Sequence, residues 1–575
     1  MTPQQHGYLA LYLVLVLGLA YPLGHYMAAV FEGRRTWAHV ALQPIERVIY
    51  RVAGIDPAAE HNWKTYGVAF LAFNALGFVA LYVLLRAQGY LPLNPADVSG
   101  MSPHLAFNSA VSFTTNTNWQ AYSGEVAASH LAQMAGFAYQ NFVSAAVGIA
   151  VLLAVIRGLT RFSTDELGNF WVDTTRCVLY VLLPLSLVLS VFLVSQGVVQ
   201  TFDASAEVTT LEGATQDIAL GPVASQVAIK QLGTNGGGFF GTNSAHPLEN
   251  PTPWSNLAEA VAILLIPAAL VFMFGRMARR MRHAVVLLVV MTVLFVIAAD
   301  VATLAEQRGT AVLDDARVLA ESGDEQSGGN MEGKEVRFGI GESALWAVAT
   351  TAASNGSVNS MHDSYTPVGG LMPMAMMSTG EVIFGGVGSG LYGMLMYVLL
   401  AVFIAGLMVG RTPEYLGKKV EAREMKAVMV AFLGFSLVLL VSVAIGAATD
   451  RGVQHVHNAG PHGFSEILYA FASGSANNGS AFAGLAVNNP FYDTLIGVGI
   501  LVGRYLFVVA ALVIAGSMVQ KKLVASGPGT LPLDGPLFGI LLTAVILILG
   551  LLTFFPAFAL GPIVEQFAMN DGGTY

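Results

Sequence analysis

Cysteine is almost absent from this sequence. Cys177 is the only one in 575 residues, so no intrachain disulfide can form and no thiolate metal site exists. Charge is scarce too: Asp, Glu, Lys and Arg make up 11% of the chain against 55% hydrophobic residues, which excludes an ordinary soluble globular protein. No glycine-rich loop ends in Lys-Ser or Lys-Thr, and no polar stretch is long enough for a nucleotide domain, so the chain alone cannot hydrolyse ATP. Neither Gly-x-Ser-x-Gly nor His-Glu-x-x-His occurs, which removes an intramembrane hydrolase from consideration. No nucleic-acid partner is expected. The leader Met1 to His6 lacks Lys and Arg and no small-residue cleavage site follows, so the first apolar run reads as a retained helix and not a signal peptide.

What is abundant is apolar sequence in lengths near the ~20 residues that cross a bilayer. About ten spans are expected: Leu9 to Val30, Tyr66 to Leu85, Leu131 to Ile156, Cys177 to Val199, Leu257 to Phe274, Ala284 to Leu304, Val382 to Met408, Ala427 to Ala448, Thr494 to Met518 and Pro536 to Leu560. The fold class is therefore an all-α polytopic membrane protein. Nineteen of the 27 Lys and Arg fall in alternate loops, such as Arg34 to Lys64, Arg276 to Arg282 and Arg411 to Lys426. The positive-inside rule makes those loops cytoplasmic and puts both termini outside. Acidic residues crowd the other loops, as in Asp203 to Asp217 and Asp314 to Glu335. That bias either favours cation approach or reflects only the lack of a positive bias there.

Four short polar stretches interrupt this apolar chain: Thr115-Asn116-Thr117-Asn118, Thr234-Asn235-Gly236-Gly237, Ser354-Asn355-Gly356-Ser357 and Asn477-Asn478-Gly479-Ser480. With Asn116, Asn235, Asn355 and Asn478 taken as equivalent, the spacings are 119, 120 and 123 residues, the mark of a fourfold internal repeat. A single Asn-Gly is an ordinary turn, but four in register argue otherwise. On this alignment Thr117 replaces the glycine shared by Gly236, Gly356 and Gly479.

Each stretch follows a run of about ten residues that is too short to cross a bilayer: His104 to Phe113, Val223 to Gln231, Glu342 to Ala352 and Phe464 to Ala472. These suit half-helices that dip in and turn back around a protein-lined cavity. Glu342 and Glu466 open two of them, where a carboxylate complements the helix dipole. The carbonyl ends would then face the polar loops, whose own carbonyls can replace the hydration shell of a monovalent cation. The unit of helix, half-helix, filter loop and helix, used four times, accounts for eight spans and leaves one extra span at each end. The expected divisions are residues 1–60 (extra helix and cytoplasmic loop), 61–160, 161–280, 281–415 and 416–525 (pore repeats 1 to 4) and 526–575 (extra helix).

Arg504 falls within the span after the fourth loop, as a fixed charge below the filter or a structural pairing partner. Gly386, Gly388 and Gly390 sit in a glycine-dense run formally like a dinucleotide fingerprint, but no strand precedes it. It reads instead as a break in the span, either a gating loop under the filter or a site of close helix packing. Gln120 is a candidate for the outer mouth of the pore. His455, His457 and His462 share a loop, read as solvated in preference to metal-binding. The basic segment Arg411 to Lys419 suits anionic lipid headgroups or a partner subunit.

Three motifs carry a family likeness. Thr115-Asn116-Thr117-Asn118-Trp119-Gln120, the run Gly233 to Phe240 with Ser244-Ala245-His246-Pro247, and Gly410-Arg411-Thr412-Pro413-Glu414-Tyr415-Leu416-Gly417-Lys418-Lys419 resemble the A-subunit family of the bacterial Kdp potassium-transporting ATPases, over essentially the whole chain. The resemblance implies membership of the superfamily of potassium transporters and a place in the bacterial inner membrane. It implies that the A subunit binds external K+ in the filter while a separate P-type ATPase B subunit uses ATP, with small C and F subunits completing the complex. It further implies that K+ leaves sideways toward the B subunit, which would suit Arg504 as a block to straight exit. Carried across residue by residue, the K+ filter comprises Asn116, Thr117, Asn118, Thr234, Asn235, Gly236, Ser354, Asn355, Gly356, Asn477, Asn478 and Gly479, acting mostly through backbone carbonyls. A stand-alone potassium channel or ion-coupled symporter, and a membrane scaffold without ion dependence, stay open as alternatives.

Overall fold

The computed structural model describes residues 2–310, 328–408, 410, 412–524 and 531–572. Much of the acidic stretch 314–335, and Arg411 of the basic segment, lie outside the described residues. Among the described residues, ten helices are long and apolar enough to cross a membrane. In chain order the main elements are α1 (Pro3–Phe31), α2 (His39–Ala53), α3 (Trp63–Ala87), α4 (Pro103–Thr114), α5 (Ala132–Thr160), α6 (Phe170–Ser195), α7 (Val223–Leu232), α8 (Pro253–Met277), α9 (Met281–Arg308), α10 (Gly339–Ala352), α11 (Pro367–Ser378), α12 (Ser389–Met408), α13 (Ala422–Ala448), α14 (Gly460–Ala476), α15 (Pro490–Gln520) and α16 (Pro536–Asn570). The fourfold unit is plain in this order: α3-α4-α5, α6-α7-α8, α9-α10-α11/α12 and α13-α14-α15, flanked by α1 and α16. The half-helices are α4, α7, α10 and α14.

Local sequence starts these helices cleanly. Ser102, Thr252, Thr366 and Asn489 each accept a backbone N–H of the first turn and each is followed by proline. A polar cap satisfies an orphan donor, and proline at the first helical position has none to lose. Small residues then let spans approach closely. A Cβ on Gly158 of α5 would lie 2.6 Å from the Ala515 Cα of α15, and one on Gly24 of α1 would lie 2.4 Å from the Ala269 carbonyl oxygen of α8, the small-residue packing that substitutes for a hydrophobic drive between helices in lipid. The main apolar cluster runs through α1, α5, α8, α9, α10 and α12, and separate clusters lie around α14, α4 and α7.

The structure departs from the sequence reading in several places. The span expected from Val382 begins only at Ser389, because residues 379–388 are a non-helical loop and α11 before it is a further half-length helix. The fourth span starts at Phe170, where Asn169 caps it, well before Cys177. Glu466 does not open α14. It lies inside the helix and accepts the backbone N–H groups of His457 and Asn458 from the loop in front. A hairpin, β1 (Ser205–Thr209) and β2 (Thr215–Ala219), fills the acidic loop before α7. Within residues 412–419 of the basic segment, Lys418 is buried and its ammonium donates to the carbonyls of Gly158, Arg161 and Met518, capping the ends of α5 and α15. Burial lowers the Lys418 pKa to about 8, with Lys521 adding to the effect.

Candidate functional site: a closed ring of four polar loops

The four half-helices deliver their C-terminal ends to one place, and the loops that follow touch in a cycle. The Asn116 side-chain amide donates to the carbonyls of Gly233 (3.2 Å) and Thr234 (2.8 Å), joining loop 1 to loop 2. Asn355 Nδ2 donates to the Lys230 carbonyl (3.2 Å), joining loop 3 to the end of α7. Asn478 Nδ2 donates to the Thr350 carbonyl (2.9 Å), and Ser354 Oγ donates to the Asn477 carbonyl (3.0 Å), joining loops 3 and 4. Asn477 Nδ2 donates to Thr117 Oγ1 (3.0 Å) and closes the ring. All twelve expected filter residues are here: Asn116, Thr117, Asn118, Thr234, Asn235, Gly236, Ser354, Asn355, Gly356, Asn477, Asn478 and Gly479 are all buried.

The repeat register shifts by one in the first loop. The N–H groups of Thr117, Asn235, Asn355 and Asn478 donate to the carbonyls of Ser112, Lys230, Thr350 and Ser473, each five residues back in its half-helix. Thr117 is therefore the counterpart of the three asparagines. The backbone agrees, since positive φ falls at Asn116 and Asn118, at Thr234 and Gly236, at Ser354 and Gly356, and at Asn477 and Gly479. Asn118 (φ 54°), not Thr117, stands where the other loops have glycine. Asparagine tolerates the left-handed region better than most residues, which is why aligning by the letter Asn misled the sequence reading.

Glycine at the other three positions is required by close approach as well as by φ. A Cβ on Gly236 would lie 1.9 Å from the Asn355 carbonyl oxygen, one on Gly356 2.3 Å from that of Asn478, and one on Gly479 1.7 Å from that of Thr117. Loops 2, 3 and 4 thus each press a glycine on the central carbonyl of the next. Such contacts leave no room for any side chain.

Behind the ring lies a layer of buried polar side chains. Lys230, whose carbonyl serves loops 2 and 3, pairs with Glu249, and both are fully buried. Gln231 donates to Glu259 (2.9 Å) and accepts from Ser357 Oγ (2.9 Å), tying α7 to loop 3. Gln120, expected at the mouth, makes two hydrogen bonds to the backbone of Gly238, donating to its carbonyl and accepting its N–H at 2.9 Å each. It clamps the junction of loops 1 and 2.

Arg504 lines a small cavity of about 40 Å3 together with Ser354, Asn477, Ser475, Ser389 and Glu381, so it lies against loops 3 and 4. Among the described residues it makes no ion pair. Glu381 was missed by sequence reasoning: it is buried, has φ 51° and one of its carboxylate oxygens has no hydrogen-bond partner. Its signal was an acid at the start of the glycine-dense run, hidden because Val382 looked like the beginning of a span. That run, with Gly386, Gly388 and Gly390, packs directly on the ring. The Val387 N–H donates to Thr234 Oγ1 (2.9 Å), and a Cβ on Gly388 would lie 2.1 Å from the Gly148 carbonyl oxygen.

The three loop histidines do not act together. His457 is exposed and His455 half-buried, but His462 is buried in α14 with Nδ1 2.6 Å from Glu565 and Nε2 3.0 Å from Asp363. The reading of His462 as solvated is corrected: its carboxylate partners lie about 100 residues away on either side. Burial alone would depress its pKa, but the hydrogen bonds to Asp363 and Glu565 override that and raise it to about 10. Asp363, His462 and Glu466 group closely enough to resemble a metal site, yet both ring nitrogens already face carboxylates, and an imidazolium satisfies them.

An all-α membrane bundle whose four half-helices carry polar loops into one closed ring is the architecture of a four-repeat pore-loop membrane transport protein. The chain belongs to the family described as potassium-transporting ATPase A subunit, which matches residues 10–567. It is similar to the "Potassium-transporting ATPase potassium-binding subunit" of Sorangium cellulosum, with 57% identity over 570 residues covering 98% of each chain. The protein of the same name from Pseudomonas aeruginosa is 55% identical over 559 residues, covering 97% of this chain and 98% of that one. In fold it is similar to the potassium transporter TrkH from Vibrio parahaemolyticus (TM-score 0.50, 14% identity, 88% of this chain and 97% of that one).

Proposed function

We propose that this chain is the potassium-binding, ion-selecting and non-hydrolytic subunit of an ATP-driven potassium uptake pump. It takes K+ as cargo into the four-loop ring and passes it to a P-type ATPase partner that alone uses ATP. The observation that carries this reading is the closed ring itself: four half-helix ends converge, and glycine is enforced at three of the four junctions between successive loops. Half-helix C-termini and clustered carbonyls favour a dehydrated monovalent cation, and a rigid ring discriminates by the number and spacing of those carbonyls.

The division into repeats at 61–160, 161–280, 281–415 and 416–525 belongs to the same proposal. So do the location in the bacterial cytoplasmic membrane with both termini outside, and assembly with B, C and F subunits. Below the ring, the unpartnered carboxyl oxygen of Glu381 offers a ligand to an ion leaving the loops, and the Arg504 charge disfavours its continuing straight through. The loop bearing Gly386, Gly388 and Gly390 is positioned to gate that step.

The test is potassium-stimulated ATP hydrolysis by the complex that copurifies with the tagged chain in mild detergent, wild type against Gly236→Asp. Stimulation at low potassium that moves to higher concentration in the variant supports the pump reading. Absence of a copurifying ATPase, with potassium flux from liposomes holding the chain alone, would replace it with the channel or symporter reading.

A further inference from the structure

The helix α2 between the first two spans is amphipathic in the inverted sense. Its inner face holds a polar cluster beside the partly buried Leu42 and Ile49: Glu46 accepts from Arg176 Nε (2.8 Å), from the Tyr180 hydroxyl (2.7 Å) and from the Tyr50 hydroxyl (2.7 Å). Its outer face is apolar. Val40 is 86% exposed and Val52 82%, with Val48 and Ile45 on the same side and Trp37, 78% exposed, just before the helix. A surface helix facing water does the opposite and buries its apolar stripe.

Basic residues rim this apolar face. Arg47 and Arg51 follow Val40 around the helix, and Arg34 and Arg35 precede it. Arg34 pairs with Glu32, whereas among the described residues Arg35, Arg47 and Arg51 make no ion pair. The two ends of the segment are fixed at one membrane boundary, since α1 ends at Phe31 and α3 begins at Trp63, both being spans. That boundary carries the loops rich in Lys and Arg.

We propose that α2 is an interfacial anchor: its valine face sits in the outer part of the hydrocarbon layer of the basic-side leaflet, and its arginines hold anionic lipid headgroups. The three supports are independent of the filter. They are the inverted polarity of the faces, the match between an arginine rim and anionic headgroups, and continuity with two spans that already fix the membrane boundary. Trp37 adds the amphipathic ring favoured at such boundaries. Through Glu46, Arg176 and Tyr180, the anchor is bolted to α6, the first helix of repeat 2.

The proposal is tested in the intact complex reconstituted in vesicles. Cys177 is buried, so a polarity-sensitive fluorophore can be placed at Val48→Cys or Val52→Cys, with Leu211→Cys at the exposed hairpin turn as the aqueous control. Brominated phosphatidylglycerol and brominated phosphatidylcholine are then compared as quenchers. Both labels on α2 should be quenched while that at position 211 is not, and the anionic lipid should be preferred by roughly twofold or more. Arg47→Gln with Arg51→Gln should remove the preference but leave quenching by phosphatidylcholine. Labels quenched by neither lipid would overturn the proposal and make the face a contact for a partner subunit. An anionic preference that survives loss of the arginines would overturn the headgroup role.

Discussion

Asn477 Nδ2 lies 3.0 Å from Thr117 Oγ1, and this hydrogen bond joins the last polar loop to the first across 360 residues of chain. The Asn477 amide also donates to the Ile500 carbonyl (3.0 Å), so the side chain holds loop 4 to its following span and to loop 1 together.

Thr117→Val keeps the shape of the side chain and removes the acceptor. The expected loss is about 1–3 kcal/mol, the usual range for a buried hydrogen bond with one partner removed. Because the bond spans a ring junction, the concentration of potassium giving half-maximal ATPase stimulation should rise several-fold with little change in the amount of folded complex. An unchanged potassium dependence would show that ring closure does not set affinity.

Gly479→Ala should abolish high-affinity potassium stimulation, because its Cβ would fall 1.7 Å from the Thr117 carbonyl oxygen at φ 94°. Gly197→Ala supplies the control: φ is 100°, yet the nearest atom to its Cβ is 3.8 Å away. Both variants carry backbone strain of about 1–3 kcal/mol, and only the first carries the clash. Potassium titration of the two side by side separates filter damage from general strain.

Lys230→Met leaves Glu249 buried without its cation and should destabilise by about 3–5 kcal/mol. The double variant Lys230→Met with Glu249→Gln should recover most of this, because no uncompensated charge remains. Thermal unfolding of the detergent-solubilised complex measures both, and additivity of the two single losses would contradict the pairing.

The pH dependence follows from His462. Its pKa in the folded protein, about 10, exceeds the unfolded value near 6.5, so its bridge to Asp363 and Glu565 contributes fully below pH ~6.5 and is lost as pH rises through about 10. Burial pushes Glu466 in the same cluster up to about 7, below the interval from pH 8 to 10.5, whereas Lys418, lowered to about 8, contributes there equally in wild type and variant, so the histidine is read from the difference between the two. The thermal midpoint of the wild type should fall across that interval, and that of His462→Gln should fall less.

Much of the ring was legible because polarity is so rare in this chain that four Asn-bearing stretches stand out against apolar spans. All four half-helices lie within a few residues of where length and composition put them. The register of loop 1 was not legible, since Asn118 performs by side-chain tolerance what glycine does elsewhere, and spacing cannot tell the two asparagines of that loop apart. Glu381 escaped because a helix broken by glycine has the same hydropathy as a continuous one. His462 escaped because its partners are remote in sequence. The α2 helix read as a basic loop, because its arginines dominate the composition while their arrangement around the helix decides what it faces.

The three tightest glycine contacts of the ring, at Gly236, Gly356 and Gly479, run one way: loop 2 presses on loop 3, loop 3 on loop 4, and loop 4 on loop 1. The assembly is thus a set of four shingles, each overlapping its successor, with Asn118 marking the seam where the overlap lacks a glycine. Damage to one loop should reach its successor before the loop opposite, and the order of the repeats in the chain becomes the order in which a distortion travels.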